Sequence, residues 1–174
     1  MRLSISAVFG ALLFCASCQS TRVENLVAFD ATEAAFINKD GKVKIDGHAF
    51  VTNTSGRVIN AAGQIVRLIP ATTYARQRFA AIYGRGKWIL ARNIPRPDSD
   101  PEYIKYTRET KSESNGKFSF EKVGPGEYFV VTQMTWKKED SLFSDGATMY
   151  ETVRIVGAET EPVKVILSGN ASGS

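Results

Sequence analysis

Between residues 112 and 131 the chain reads Ser-Glu-Ser-Asn-Gly-Lys-Phe-Ser-Phe-Glu-Lys-Val-Gly-Pro-Gly-Glu-Tyr-Phe-Val-Val, and few folds admit that string. Ser114-Asn115-Gly116 is a turn, because Asn and Gly tolerate the positive φ that tight turns demand. From Lys117 to Glu121 the residues alternate. Phe118 and Phe120 share one face, while Lys117, Ser119 and Glu121 share the other, which is the period of a half-buried strand. Gly124-Pro125-Gly126 reverses the chain. A long strand then starts at Glu127, with Tyr128, Val130 and Thr132 on one side and Phe129 and Val131 on the other. Two strands joined at such a corner are the heart of an antiparallel β domain.

The flanking chain repeats the pattern. Asp30 to Phe36 allows either a helical turn, with Asp30 as cap, or an extended lead-in, and Asp40-Gly41 signals a hairpin turn. Val43 to Thr52 is a strand. Ile45, Gly47, Ala49 and Val51 lie on one face, and Lys44, Asp46, His48, Phe50 and Thr52 on the other. Gly47 inside it marks a bulge or a close neighbour. Ser55-Gly56 and Ala62-Gly63 bracket Arg57 to Asn60, and Gln64 to Ile69 is a strand that Pro70 ends. Later, 137–140 and Ser144-Asp145-Gly146 form a polar loop and Met149 to Val156 a strand. Val163, Val165 and Leu167 belong to a last strand, and 169–174 is expected to be a disordered tail. Strands at this spacing predict an all-β, Greek-key β-sandwich of about seven strands.

One stretch changes period. Ala75, Phe79, Ile82 and Tyr83 fall at i, i+4, i+7 and i+8, opposite Arg76, Gln77 and Arg78. This predicts one short amphipathic helix near 72–83, capped by Thr72 or Thr73 and ended by Gly84, whose apolar side covers an edge or face of the sandwich. An excursion over 85–108 follows, with three prolines and no period; stretches this long inside a compact domain are often functional. Tyr103 to Arg108 is expected to return as a strand.

Met1-Arg2, the apolar run from Leu3 to Phe14 and the cluster Cys15-Ala16-Ser17-Cys18 form a leader. A span needs about 20 apolar residues, so this run is too short and matches an export signal. Ala16-Ser17-Cys18 resembles the lipobox of bacterial lipoproteins. That resemblance implies a signal peptide over 1–17, lipid on Cys18, and a polar tether over 18–27 of at most about 30 Å. It further implies a bacterial cell-envelope address, with Gln19 pointing to the outer membrane, facing the periplasm. Cys15 stands where the lipobox usually has Leu, which leaves a plain signal-peptidase cut near Ser20 as the alternative. Cys15 and Cys18 also spell C-x-x-C, but they sit at the end of a leader and not after a strand of a redox fold. Because no cysteine follows Cys18, the domain over 28–168 must stand on its apolar core.

Ile45 to Val51, Ala61 to Tyr74 and Gly116 to Tyr128 together resemble the carboxypeptidase regulatory-like domain. The Gly-x-Phe-x-Phe…Pro-Gly-x-Tyr core carries most of the likeness. The resemblance implies a transthyretin-like sandwich of seven strands and no catalysis of its own. The chain departs from it over Thr72 to Arg108.

Chemistry is sparse. A net charge of +4 lacks the dense basic stripe of nucleic-acid binders. The sole histidine, His48, cannot by itself make a zinc site, and no nucleophile elbow or phosphate-cradling loop is present. No catalytic residue, metal or cofactor is therefore expected, and His48 reads as a structural or surface histidine. A hydrolase would need it clustered with carboxylates and a hydroxyl. The remaining candidates lie in the excursion, where Arg85, Lys87, Trp88, Arg92, Arg96, Tyr103 and Tyr106 offer aromatic area and directional donors. Against this, Trp88 with Ile89 and Leu90 would pin the excursion to the core. Trp136 reads as a cap on the core's edge. The chain is thus expected to be a non-catalytic envelope lipoprotein, an interaction or scaffold module. It would be bound to the membrane through its lipid, with an envelope protein or glycan as partner. The alternative is a glycan- or peptide-binding module working through 85–108.

Overall fold

The computed structural model describes residues 27–95, 99–137, 142 and 144–171. The leader, Cys18 and most of the tether lie outside them. In chain order the elements are α1 (Ala31–Ala34), β1 (Val43–Thr52), β2 (Val58–Asn60), β3 (Ile65–Pro70), α2 (Thr73–Tyr83), β4 (Trp88–Leu90) and α3 (Pro101–Lys105). They continue as β5 (Arg108–Lys111), β6 (Lys117–Val123), β7 (Gly126–Lys137), β8 (Ser144–Ile155) and β9 (Val163–Asn170).

The molecule is a β-sandwich with a helical layer on one side. In the first sheet β1 is central, with β6 and β2 along one edge and β9 along the other. The second sheet runs β4-β8-β7-β3-β5. Among the described residues all pairings are antiparallel except β1 with β9, which is parallel from Ile45↔Val163 to Thr52↔Asn170. Ile45, Ala49 and Val51 of β1 meet Leu68, Tyr128, Val130, Met149 and Leu167 in one buried core. A buried Val, Leu or Ile contributes about 1.5–3 kcal/mol relative to exposure, so this interior holds the two sheets together.

The Phe118 and Phe120 face is buried as the alternation demands. Two glycines make room for β6. A Cβ on Gly47 would lie 2.0–2.5 Å from three atoms of the Phe118 ring, so the expected close neighbour is that ring. A Cβ on Gly41 would lie 2.0 Å from the Val123 carbonyl oxygen, and Gly41 donates its N–H to Lys122. Gly41 is therefore required by the approach of β6 and not by the hairpin its Asp-Gly pair suggested: what precedes β1 is α1 and a 3-10 turn. At the Gly-Pro-Gly corner the buried Tyr128 hydroxyl donates to the Gly124 carbonyl at 2.8 Å, tying the start of β7 back to the turn.

β7 is apolar on both faces because both are covered. Tyr128 and Val130 enter the sandwich core, and Phe129 and Val131 face a second cluster beneath α2. Thr72 caps α2, its hydroxyl accepting from the Ala75 N–H, and Gly84 ends the helix. The Glu33 carboxylate of α1 accepts from the Thr73 N–H at 2.8 Å, placing negative charge at the positive end of the helix. Phe79 stacks on Phe129 with centroids 4.2 Å apart.

Four expectations need correction. Tyr103 to Lys105 is helical, since Asp100 caps α3, Pro101 occupies its first turn and Tyr103 is buried; the strand begins only at Arg108. Ser144 to Gly146 is the start of β8, paired with Thr135 to Lys137. The expected tail from Gly169 is ordered through Ala171: Gly169 and Asn170 pair with Val51 and Thr52, and Ala171 is buried. Among the described residues the strands number nine, against about seven expected, because β2 and β4 have only three residues and too little period to register.

Candidate functional site

The two sheets expose different faces. The outer face of the second sheet is roofed by α2 and α3, whereas that of the first sheet carries a depression of about 490 Å³. Strand alternation builds it. Lys44, Asp46 and His48 point outward because Val43, Ile45 and Ala49 point in. Pairing then aligns rows across three strands: Ser119, Asp46 and Lys164 form one row, and Lys117, His48 and Ile166 the next. Glu113, just before the turn into β6, stands at the rim.

Electrostatics divides these groups. Asp46 is the hub, accepting from Lys164 Nζ at 3.0 Å with Lys44 Nζ at 3.4 Å, while Lys44 also reaches Glu121 at 3.1 Å. His48 Nε2 lies 3.0 Å from Asn60 Oδ1, and its ring leans on Phe50. Lys117 and Glu113 have no side-chain partner among the described residues. Ile166 is 60% exposed between Lys164 and Ser168.

The hydrogen bond from Lys164, helped by Lys44, holds the Asp46 carboxyl below its ordinary 3.8. A depressed carboxylate stabilises the fold above its unfolded value and loses that contribution as pH falls through the folded one. Asp46 should therefore titrate below 3.8 by carboxyl NMR, and Lys164→Ala should move it upward. An unchanged titration in that variant would remove the pair from the account. The stability effect should be small, as for other surface pairs.

The excursion does not converge on a site. Trp88 packs on the sandwich core, and the indole lies 3.4 Å from where a Gly169 Cβ would stand, which is the pinning role. Lys87 is paired with Glu151 and Arg92 lies 3.9 Å from Asp145, both at the β4–β8 edge. Arg85 is exposed just beyond α2. Tyr103 is buried among Phe29, Tyr74 and the Arg78 guanidinium, burial pushing its hydroxyl up, and Tyr106 packs against Phe29. Arg96 falls outside the described residues. β4 and β5 are opposite edges of one sheet, so the candidates divide between them. Trp136 caps the core beside Asp145, as expected.

Among the described residues no group of three His, Cys, Asp or Glu side chains could hold a metal, and no helix is long and apolar enough to cross a membrane. The residues that sequence reasoning missed are Glu113, Lys117, Ser119 and Lys164. Alternation marks Lys117 and Ser119 as outward-facing, but their neighbourhood with Lys164 depends on a β1–β9 pairing spanning 118 residues from Asp46 to Lys164.

Fold and site together define a β-sandwich with one roofed sheet and one open sheet. Neither a family model nor a curated protein matches the chain. Among solved structures, it is similar to a crystal structure from Pseudomonas aeruginosa described as "a putative carbohydrate binding protein", with 26% identity and a TM-score of 0.68. The match covers 82% of this chain and 98% of that one.

Proposed function

We propose that the protein is a non-catalytic carbohydrate-binding module of the bacterial cell envelope, a member of the carboxypeptidase regulatory-like group, tethered by lipid on Cys18 at the outer membrane. The observation that carries the binding role is the likeness, over nearly the whole of its neighbour, to a protein described as "a putative carbohydrate binding protein". An open sheet face with spare hydrogen-bonding groups agrees with it, because glycans are held by many polar contacts over a shallow surface. The tether rests on the leader and the small residues before Cys18. Two acyl signals make anchoring durable, at about 0.8 kcal/mol per buried methylene.

Calorimetry with the intact protein in detergent, against neutral and acidic oligosaccharides, tests the binding role. The expected result is saturable binding with Kd between about 1 μM and 1 mM. Silence across the panel at millimolar sugar would discard it. In the same preparation, mass spectrometry should find diacylglycerol on Cys18, and Cys18→Ser should move the protein out of the membrane fraction.

A further inference from the structure

We infer that the glycan site is the outer face of the first sheet, centred on Lys117, His48 and Glu113, and that it takes a neutral oligosaccharide. The inference rests on the carbohydrate-binding reading and moves the site away from the excursion at 85–108.

Capacity is the first argument. Lys44 is taken up by Asp46 and Glu121, and Lys164 by Asp46. Among the described residues, one cation and one anion of the depression then remain without side-chain partners, Lys117 with its donors and Glu113 with its acceptors. The Ser119 hydroxyl and the second ring nitrogen of His48 sit in the same two rows. A sugar hydroxyl donates and accepts at once, so a pair of neighbouring hydroxyls can satisfy a donor and an acceptor together. A fully anionic chain would favour Lys117 but repel Glu113. The cancelled charge of this surface therefore selects a neutral ligand.

Shape is the second argument. The depression of about 490 Å³ falls within the range of about 300–1,000 Å³ usual for small-ligand pockets. Its floor is a sheet whose rows lie about 6.6 Å apart along the strand, giving repeated polar contacts to a linear chain. Ile166, which lines it and is exposed, supplies apolar surface for the C–H faces of sugar rings. Placement is the third. Val27 and Phe29, where the described chain begins, pack in the helix-side cluster. The chain thus enters the domain on the roofed side, and the open sheet faces away from its point of entry.

The test uses maltotriose, cellotriose and chitotriose as neutral probes and trigalacturonate as the anionic one, titrated into the intact protein. Lys117→Ala and Glu113→Gln are exposed substitutions and should leave the melting temperature unchanged. Each should weaken the neutral probe that binds by about tenfold or more, which is about 1.4 kcal/mol. Lys105→Ala on α3 should leave its affinity unchanged. Binding that survives both site variants, or that falls with Arg85→Ala while they are silent, would overturn the site and leave the carbohydrate reading standing. Tighter binding of trigalacturonate would overturn the neutral assignment. No binding of any probe would overturn both readings.

Discussion

Phe79→Ala is expected to destabilise the protein by about 3–5 kcal/mol, the usual cost of truncating a buried Phe. The side chain is 5% exposed, stacked on Phe129 and edge-on to Tyr150 at 4.8 Å. Losing it affects more than one residue's packing. α2 has 11 residues, and isolated helices below about 12–15 residues are marginal in water. Its order therefore depends on the face it buries. Urea unfolding should show the loss, and amide exchange should show protection falling first over 73–83 while the β1, β6 and β9 amides keep theirs. The sugar binding proposed for the first sheet should survive at temperatures where the variant is folded. A cost below about 1 kcal/mol would mean that the helix is not docked on Phe129 as described.

Gly47→Ala is the second large effect, expected at about 1–3 kcal/mol from overpacking. The new methyl would enter the Phe118 ring, which is 4% exposed among Ile45, Phe120 and their neighbours and has nowhere to retreat. The coupling makes the prediction specific. In a Phe118→Ala background the obstacle is gone, so adding Gly47→Ala should cost little, and the double-mutant cycle should give a coupling of the size of the single Gly47 effect. Additive costs would show that Gly47 serves the backbone of β1 rather than the space above it. Because Gly47 lies between Asp46 and His48, the single variant should also weaken the proposed sugar binding if the ring pushes β1 outward.

Much of the sandwich was legible because it rests on local chemistry. Phe118 and Phe120 against Lys117 and Ser119, Tyr128 and Val130 against Phe129 and Val131, and the Thr72-capped helix ended by Gly84 all came out as their periods required. Tyr103 to Lys105 is helical where a strand is expected: Asp100-Pro101 is a helix start signal, but a short aromatic run has the composition of a strand. The proposed site is harder still to read. Trp88 and Tyr103 carry the side chains that usually mark a binding surface, yet both are spent on packing. Lys117 and Glu113 carry no signal beyond being polar and next to a turn.

Strand periods, the glycine corners and the helix caps are written in neighbouring residues, so the chain alone determined a β-sandwich with an inserted helix. Which sheet α2 covers, the parallel alignment of β9 on β1, and the rows that bring Ser119, Asp46 and Lys164 together were decided only in three dimensions. The physical reason is range. A turn or a period is specified over a few residues, whereas an open face exists only after distant strands have paired and the remaining apolar surface has found a cover.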